Sequence, residues 1–262
     1  MKKIILVLCA SVLLISCTSS SEEAAPAVNG TVGVLLKKLN STAFGYTITS
    51  NSTYDGNKIL KVTRIDGTET RYEYSGNLIT SVRDYSGTTL TESKDFTYTN
   101  EKLTKIIYSQ FSIFNNTVTK LVLTHNTNNT INYNQFNVTG STEMQIGTGK
   151  YTIANGNLAK DEYTYAAGSQ TTLYTFDAKN SSVKNVSGFN KLVYDATIFS
   201  TNNLLTTNIV TISSPSGNQS VENTTTTYMY NSENYPTSSM SQTSMNGNPP
   251  STSLNRSMVF FY

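Results

Sequence analysis

A short repeated unit, running along the chain from Tyr54 onward, restricts the fold more than any other feature. In each copy, a large apolar or aromatic residue is followed by three or four turn-forming residues, and an apolar residue then opens the next segment. The clearest copies are YDGNKILKV from Tyr54, YSGNLITSV from Tyr74 and YTNEKLTKI from Tyr98. Internal repeats of this length are typical of an array built from one supersecondary unit.

Weaker copies carry the pattern to the end of the chain. The first residues of the eight copies, called anchor residues below, are Tyr54, Tyr74, Tyr98, Leu123, Ile153, Phe176, Phe199 and Tyr230. Each copy is long enough for two strands, so we expect one turn at each anchor and another midway. The midway turns are predicted at Asp66-Gly67, Ser86-Gly87, Asn115-Asn116, Gly168-Ser169 and Ser216-Gly217. Gly, Asn and Asp accept the positive φ that tight hairpins require.

Composition and alternation both favour β-structure. The chain is rich in Thr, Asn and Ser and contains 17 Tyr and 10 Phe, whereas a disordered chain has few aromatic residues. Stretches such as Tyr72-Glu73-Tyr74 alternate, which puts rings on one face of a strand and polar groups on the other. We predict an all-β domain over residues 31–262, an antiparallel meander of repeated hairpins whose first strand is Val32–Leu39. The sequence leaves open whether the sheet is open and curved or closed like a barrel.

A transmembrane barrel is the competing architecture. The ending Met258–Tyr262 is similar to the aromatic-terminated last strand of outer-membrane barrels. Such a barrel needs an apolar, lipid-facing row on every strand. The Asn- and Thr-rich stretches Asn132–Thr142 and Ser220–Thr227 offer no such row. The sequence therefore favours Phe260–Tyr262 as the closing strand of an array that does not span lipid.

The N-terminus has the three parts of an export signal. Lys2 and Lys3 precede the largely apolar run Ile4–Ile15, and the small residue Ser16 precedes Cys17. Twelve helical residues reach about 18 Å, too short for a hydrocarbon core of about 30 Å. We predict that residues 1–16 are a cleaved signal peptide rather than a membrane anchor.

The run Leu14-Ile15-Ser16-Cys17 resembles a bacterial lipobox. The resemblance implies cleavage before Cys17 and acylation of that cysteine. The segment that follows contains Ser, Glu, Ala and Pro without periodicity, so residues 17–30 are predicted to be the lipidated Cys and a flexible tether. Two or more acyl chains hold a protein stably at a bilayer, so the membrane is a predicted partner. Thr18, in place of a retaining Asp, implies transfer to the outer membrane. Glu22-Glu23 is similar to a surface-export signal of Bacteroidota-type lipoproteins, which implies exposure at the cell surface. The alternative is that these two glutamates are part of a solvated linker.

The repeats resemble the tyrosine-rich YD or RHS repeats. They are also similar to the porin-like β domains of uncharacterised lipoproteins from Bacteroidota-type bacteria. The likeness covers roughly residues 46–262, and only Tyr54-Asp55-Gly56 carries the Tyr-Asp pair of the YD unit. It implies an architecture and no particular activity.

Charge and cysteine content exclude several functions. Cleavage before Cys17 removes Lys2 and Lys3 from the 19 Lys and Arg, which leaves 17 to balance 17 Asp and Glu. A neutral chain has no basic stripe for phosphate, so nucleic acid is not a predicted partner. Cys9 lies in the signal and Cys17 carries the lipid, so the body has no thiol for catalysis, metal binding or a disulfide.

No residue pattern indicates catalysis. His125 is the only histidine, and it has no cysteine or second histidine as a partner in the body. Asp161 and Glu162 are adjacent, so on a strand they face opposite sides. The sequence carries no nucleotide-binding loop, EF-hand or nucleophile elbow. We predict no catalytic residue, no metal ligand and no cofactor, and therefore a protein that is not an enzyme.

The sequence favours a non-catalytic binding module for glycan or protein at the outer membrane. Exposed Tyr beside Asn, Thr and Ser suits sugar stacking and hydrogen bonding, although no residue is singled out as the ligand surface. A structural or assembly component of the envelope is the alternative, and a hydrolase is a more distant one.

Overall fold

The computed structural model describes residues 33–112, 115–250 and 255–262, which fall within one compact unit, Val32–Tyr262. The predicted signal peptide, Cys17 and the whole of the tether lie outside the described residues. The sixteen strands are β1 (Lys38–Ala43), β2 (Tyr46–Asp55), β3 (Lys58–Arg64), β4 (Thr68–Ser75), β5 (Leu78–Ser86), β6 (Thr89–Thr99), β7 (Lys102–Gln110), β8 (Thr117–His125), β9 (Thr130–Thr139), β10 (Thr142–Ala154), β11 (Asn157–Tyr165), β12 (Gly168–Phe176), β13 (Leu204–Ser213), β14 (Gln219–Tyr230), β15 (Pro236–Met245) and β16 (Arg256–Phe261). A 3₁₀ turn, Phe189–Lys191, and one short helix, α1 (Ala196–Phe199), lie between β12 and β13.

The strands form a closed antiparallel barrel. Each strand pairs with its neighbours in the chain, and β1 pairs with β16 from Lys38 opposite Phe261 to Ala43 opposite Arg256. The predicted all-β meander of hairpins is confirmed, and the sheet is closed rather than open. Closure removes both free edges, so every strand finds hydrogen-bonding partners on each side.

The repeated unit corresponds to one rim of the barrel, which we call the anchor rim. Seven anchors lie at or near the ends of the even-numbered strands β2 to β14. At six of them the register shifts by a β-bulge, as between Thr53 and Tyr54 or between Thr97 and Tyr98. Bulges increase local twist and occur often at barrel rims. The tight turn that follows is made possible by residues at positive φ such as Gly56 and Gly76.

Three local predictions were wrong. Phe199 ends α1 and not a strand, because residues 177–203 form an insertion between β12 and β13. The turn predicted at Gly168-Ser169 lies one or two residues earlier, and Gly168 begins β12. The first strand begins at Lys38 and not at Val32.

Side-chain partners explain the late start of β1. The Val34 carbonyl accepts a hydrogen bond from Asn185 Nδ2 at 2.9 Å, and the Leu36 carbonyl accepts one from the Tyr54 hydroxyl at 2.7 Å. Leu35 is buried in the core. These contacts fix residues 34–36 against the inside of the barrel, whereas the backbone of Lys37 already bonds to Phe261 and Ser52 of the wall.

The insertion 177–203, called the plug below, fills the lumen at the anchor rim. Phe189 packs on Tyr72 with ring centroids 5.9 Å apart, and Tyr194 stacks on Phe96 at the same distance. Gly188 approaches the wall so closely that an added Cβ would lie 3.0 Å from the Asn77 carbonyl oxygen. The core consists of these plug residues and the inward-facing residues of the wall around them. The lumen is therefore closed at one end by packed side chains.

Alternation separates the two faces of the wall. Tyr72 and Tyr74 face the lumen and pack against the core, whereas Glu73 between them is exposed. The rings of the anchor strands thus lie on one face, as the alternation predicted, and that face lines the interior. Tyr98 follows the same rule, and its hydroxyl donates to the Ile79 carbonyl at 2.8 Å.

Candidate functional site

The lumen beyond the plug contains a cavity of about 430 Å³, which we call the lumen cavity. Its wall is made by β13 to β16 and β1, and its floor by the plug. The lining residues are Ala43, Phe44, Ser181, Ser182, Thr197, Asn202, Asn203, Leu204, Thr207, Thr224, Thr226, Tyr228, Ser241, Thr243, Arg256, Met258 and Phe260. The volume falls in the range of about 300–1,000 Å³ that small-molecule sites occupy.

Hydroxyl groups dominate the wall of the lumen cavity. Alternation turns Thr224 and Thr226 of β14 inward, opposite Thr243 and Ser241 of β15. The Thr224 and Thr243 hydroxyls lie 2.8 Å apart, and the Thr226 and Ser241 hydroxyls 2.9 Å apart. Within each pair one hydroxyl donates to the other, so the second keeps its proton for another acceptor. Each pair therefore offers one donor and spare lone pairs to whatever occupies the cavity.

Arg256 is the only charged residue in that lining. The register puts it beside Ser241 on one side and Ala43 on the other, at the start of β16. The structure describes no carboxylate within ion-pair distance of its guanidinium in residues 33–112, 115–250 and 255–262. Arg256 is exposed, so the charge faces the water of the lumen.

Aromatic rings lie at both ends of the lumen cavity. Tyr228, near the floor, donates its hydroxyl to the Leu204 carbonyl at 3.1 Å, and burial and then the Asp177 charge raise its pKa to about 12. Phe44, in the β1–β2 turn at the mouth, is 68% exposed, and Tyr46 after it is 79% exposed. Exposed rings beside hydroxyl groups give a surface that is apolar on one face and polar at its edges.

Hydrogen bonds within the plug and to β14 fix the floor. Asp177 Oδ1 accepts from the Asn203 backbone N–H at 3.0 Å, and its Oδ2 accepts from Asn203 Nδ2 at 3.1 Å. The Tyr230 hydroxyl also donates to Asp177 Oδ2. Asp195 caps α1 by accepting from the backbone and the hydroxyl of Thr197. Both carboxylates are thus bound by donors of the plug and of β14.

The adjoining part of the lumen, from β9 to β12, is filled by tyrosine rings. Tyr133 stacks on Tyr151 and Tyr163 with centroid distances of 4.5 and 6.0 Å. Gly149 lies directly beneath, where an added Cβ would come within 2.1 Å of the Tyr133 ring. The Tyr133 hydroxyl donates to Asp161 Oδ1 at 2.9 Å. Burial raises the pKa of Asp161 to about 6 in spite of that hydrogen bond, and raises the pKa of Tyr133 as well.

The residues considered for catalysis do not come together. His125 lies at the end of β8, with Nε2 2.8 Å from the Leu103 carbonyl oxygen, and is half-buried at the anchor rim rather than exposed in a turn. Asp161 faces the lumen, whereas Glu162 faces outward and pairs with Lys150 and Lys160 at 2.9 and 2.7 Å. The expected separation of these two acids onto opposite faces is confirmed.

Within residues 33–112, 115–250 and 255–262, no group of three or more His, Cys, Asp or Glu side chains is arranged to hold a metal ion. No helix in those ranges has both the length and the apolar character needed to cross a bilayer.

Sequence reasoning did not find Arg256 or the lumen cavity. A signal was present, because strands β12 to β16 contain only two charged residues, Glu222 and Arg256. Both fall on lumen-facing positions once the register is known. Without the register, Arg256 was one cation among many.

The fold has counterparts among solved structures. A porin-like protein from Bacteroides vulgatus ATCC 8482 matches with a TM-score of 0.57 and 15% identity, over 88% of this chain and 99% of that one. A porin-like protein from Bacteroides uniformis ATCC 8492 matches with a TM-score of 0.53 and 12% identity, over 86% of this chain and 95% of that one. The barrel has a porin-like fold. No protein-family model and no curated protein matches the sequence.

The expected likeness to porin-like proteins of Bacteroidota-type bacteria is confirmed at the level of the fold. At these identities the likeness carries no activity or ligand to this chain. The lipobox and the YD or RHS repeats stay predictions from the sequence.

Proposed function

We propose that this chain is a non-catalytic lipoprotein of the outer membrane, exposed at the cell surface, whose lumen binds a saccharide. One observation carries the proposal, namely the hydroxyl-lined lumen cavity with aromatic rings at its floor and mouth. Sugars present many hydroxyl groups and apolar ring faces, which such a wall complements. The porin-like fold suggests an outer-membrane location, in agreement with the lipobox-like run before Cys17.

The outer wall of the barrel supports attachment through a lipid rather than insertion of strands. Between β3 and β11 it carries outward ion pairs, among them Lys61 with Glu69 at 3.5 Å and Arg83 with Asp95 at 2.6 Å. A Lys or Arg facing lipid costs about 2–4 kcal/mol at the bilayer midplane. Such a wall suits water, so membrane association would depend on the acyl chains of Cys17 and not on the barrel.

The anchor is tested by Cys17→Ala. We expect the variant to lose labelling by a fatty-acid analogue and to leave the membrane fraction. The control is Cys9→Ala, which changes the other cysteine within the predicted signal and keeps the acylation site. A Cys17→Ala protein that still fractionates with membranes would contradict the lipid anchor.

Saccharide binding is tested with the full-length protein in detergent, on a glycan array and then by calorimetry. Thr226→Val removes a lumen hydroxyl and keeps the shape of the side chain, whereas Thr225→Val changes the exposed neighbour that faces outward. Loss of one hydrogen bond of about 1 kcal/mol predicts binding about fivefold weaker for Thr226→Val and unchanged for Thr225→Val. If no saccharide binds, or if both variants weaken binding equally, the lumen is not the site.

A structural or assembly role in the envelope is the second candidate. The outer wall of β14 to β16 favours it, because Met229, Met240 and Val259 are exposed there at 69%, 48% and 42% and no charged residue faces outward on these strands. An uncharged wall with exposed apolar groups is suited to contact with another protein. Deletion of the gene should then cause envelope defects. This role would be favoured if the double variant Met229→Ser with Met240→Ser reproduces those defects and Thr226→Val does not.

A further inference from the structure

The lumen cavity contains donors and a cation but no anion. Its lining has one charged group, Arg256, and no Asp or Glu. The Thr224–Thr243 and Thr226–Ser241 hydroxyl pairs each keep one proton for an outside acceptor. A ligand that satisfies these groups must be rich in acceptors near Arg256.

The carboxylates of the lumen do not neutralise Arg256. Thr226 of β14 lies level with Ser241 and Arg256 in the sheet. Glu222 lies four residues before Thr226, which places it about 13 Å from that level along the strand. Asp177 and Asp195 are held by Asn203, Tyr230 and Thr197, as described above. Among the described residues, Arg256 forms no ion pair.

This unpaired charge discriminates between ligands. A neutral sugar that covered Arg256 would displace water from the guanidinium without offering a counter-charge, which is unfavourable. A carboxylate or sulfate group would replace that water with charge-assisted hydrogen bonds, and a guanidinium can form two of them side by side. Exposed Phe44 lines the lumen cavity together with Arg256, and a neighbouring sugar ring can pack on it.

We infer that the ligand of the lumen cavity is an acidic saccharide, whose carboxylate or sulfate group pairs with Arg256 while its hydroxyls bond to the Thr and Ser pairs of β14 and β15. This inference rests on the proposed saccharide binding and adds the chemical class of the sugar. Arg256 thereby determines specificity, whereas the hydroxyl wall supplies contacts common to neutral and acidic sugars.

The test compares pairs of probes that share their sugar rings and differ in whether they carry an acidic group, with full-length protein in detergent. Oligogalacturonide and its methyl ester present the same rings with and without a carboxylate. A galactose oligomer with sulfate groups and the same oligomer without them form the second pair. We expect one acidic probe to bind about tenfold tighter than its neutral partner, because hydrogen bonds to charged groups contribute about 1.5–3 kcal/mol. The preference should shrink as salt is raised.

Three variants assign the preference to Arg256. Arg256→Gln should abolish it, and Arg256→Lys should keep part of it because the charge remains without the two parallel bonds. The matched control is Lys105→Gln, an exposed, outward-facing cation on β7. If Arg256→Gln fails to fold, the salt dependence of the wild type and the result for Arg256→Lys still decide whether Arg256 causes the preference for acidic probes.

The outcomes separate the two proposals. Equal, salt-insensitive binding of acidic and neutral probes would overturn the acidic-saccharide inference and leave saccharide binding in place. A preference for acidic probes that persists in Arg256→Gln would overturn the role of Arg256. Binding of neither class would overturn both.

Discussion

The two sides of this barrel differ in both their inner and outer faces. From β3 to β11 the lumen is filled by the plug and by tyrosine rings, and the outer wall carries ion pairs. From β13 to β16 and β1 the lumen is lined by hydroxyls around the lumen cavity, and no charged residue faces outward on β13 to β16. The filled side is built for stability, because buried apolar area is the main source of folding free energy.

The side from β13 to β16 and β1 contains space and polar groups that do not add to the stability of the fold. Thr, Ser and Arg256 line a space that larger apolar residues would have closed, as Leu103 and Ile106 do across the barrel. Proteins keep cavities and unpaired polar groups mostly where they bind something. The contrast between the sides is the physical basis for locating the site on β13 to β16.

The largest difference in stability is expected between two tyrosine variants, one on each side of the barrel. Tyr98 on the filled side packs against the core, and its hydroxyl bonds to the Ile79 carbonyl, whereas Tyr46 at the mouth is 79% exposed. Tyr98→Ala should lower the free energy of unfolding by about 3–5 kcal/mol. Tyr46→Ala should change it by less than about 0.5 kcal/mol. Urea denaturation measures both, and equal midpoints for the two variants would contradict the division of the barrel into sides.

The next effect concerns Asp161, whose pKa of about 6 lies above its ordinary value of 3.8 because of burial. A raised pKa in the folded state means that the carboxyl contributes its full stability below about pH 4 and loses it as the pH rises through about 6. Asp161→Asn should remove this loss and stabilise the barrel by about 2–3 kcal/mol at pH 7, with no gain at pH 4. Thermal unfolding measured from pH 4 to pH 8 tests the difference between the two proteins.

The control for this pH dependence is Glu162→Gln, one residue along the strand. Hydrogen bonds from Lys160 and Lys150 hold the pKa of Glu162 below its ordinary value, so its stabilisation is lost as the pH falls. The two variants should therefore shift the pH profile in opposite directions. Parallel shifts would show that Asp161 is not buried in the lumen.

A smaller effect is expected where the Tyr133 ring lies over Gly149. The new methyl group of Gly149→Ala would meet the ring at 2.1 Å and the Glu162 carbonyl oxygen at 2.5 Å. Overpacking of this kind costs about 1–3 kcal/mol, because the ring must leave its stack on Tyr151. Thr148→Ala, at the outward-facing neighbour, should change stability by less than about 0.5 kcal/mol. A shift in near-ultraviolet circular dichroism should accompany only the Gly149 variant.

Much of the wall could be predicted because its signals are local. Alternation at Tyr72-Glu73-Tyr74 and the turn residues at Asp66-Gly67 and Gly56 act within a few residues of chain, and the structure confirms them. The likeness to porin-like proteins also extended to the fold as a whole. The Phe199 prediction was wrong because its Asn-rich neighbourhood imitates a hairpin turn while the plug docks into the lumen.

The sequence by itself determined that this chain is an antiparallel array of hairpins with rings on one face, since strand alternation and turn chemistry are properties of short segments. Only the tertiary structure decided that the array closes, that residues 177–203 fill one end, and that Arg256 faces a cavity. These features depend on pairing between β1 and β16, which lie at opposite ends of the described chain. A shift of one residue in that register would turn Arg256 to the outside, so its role follows from closure and not from its neighbours in sequence.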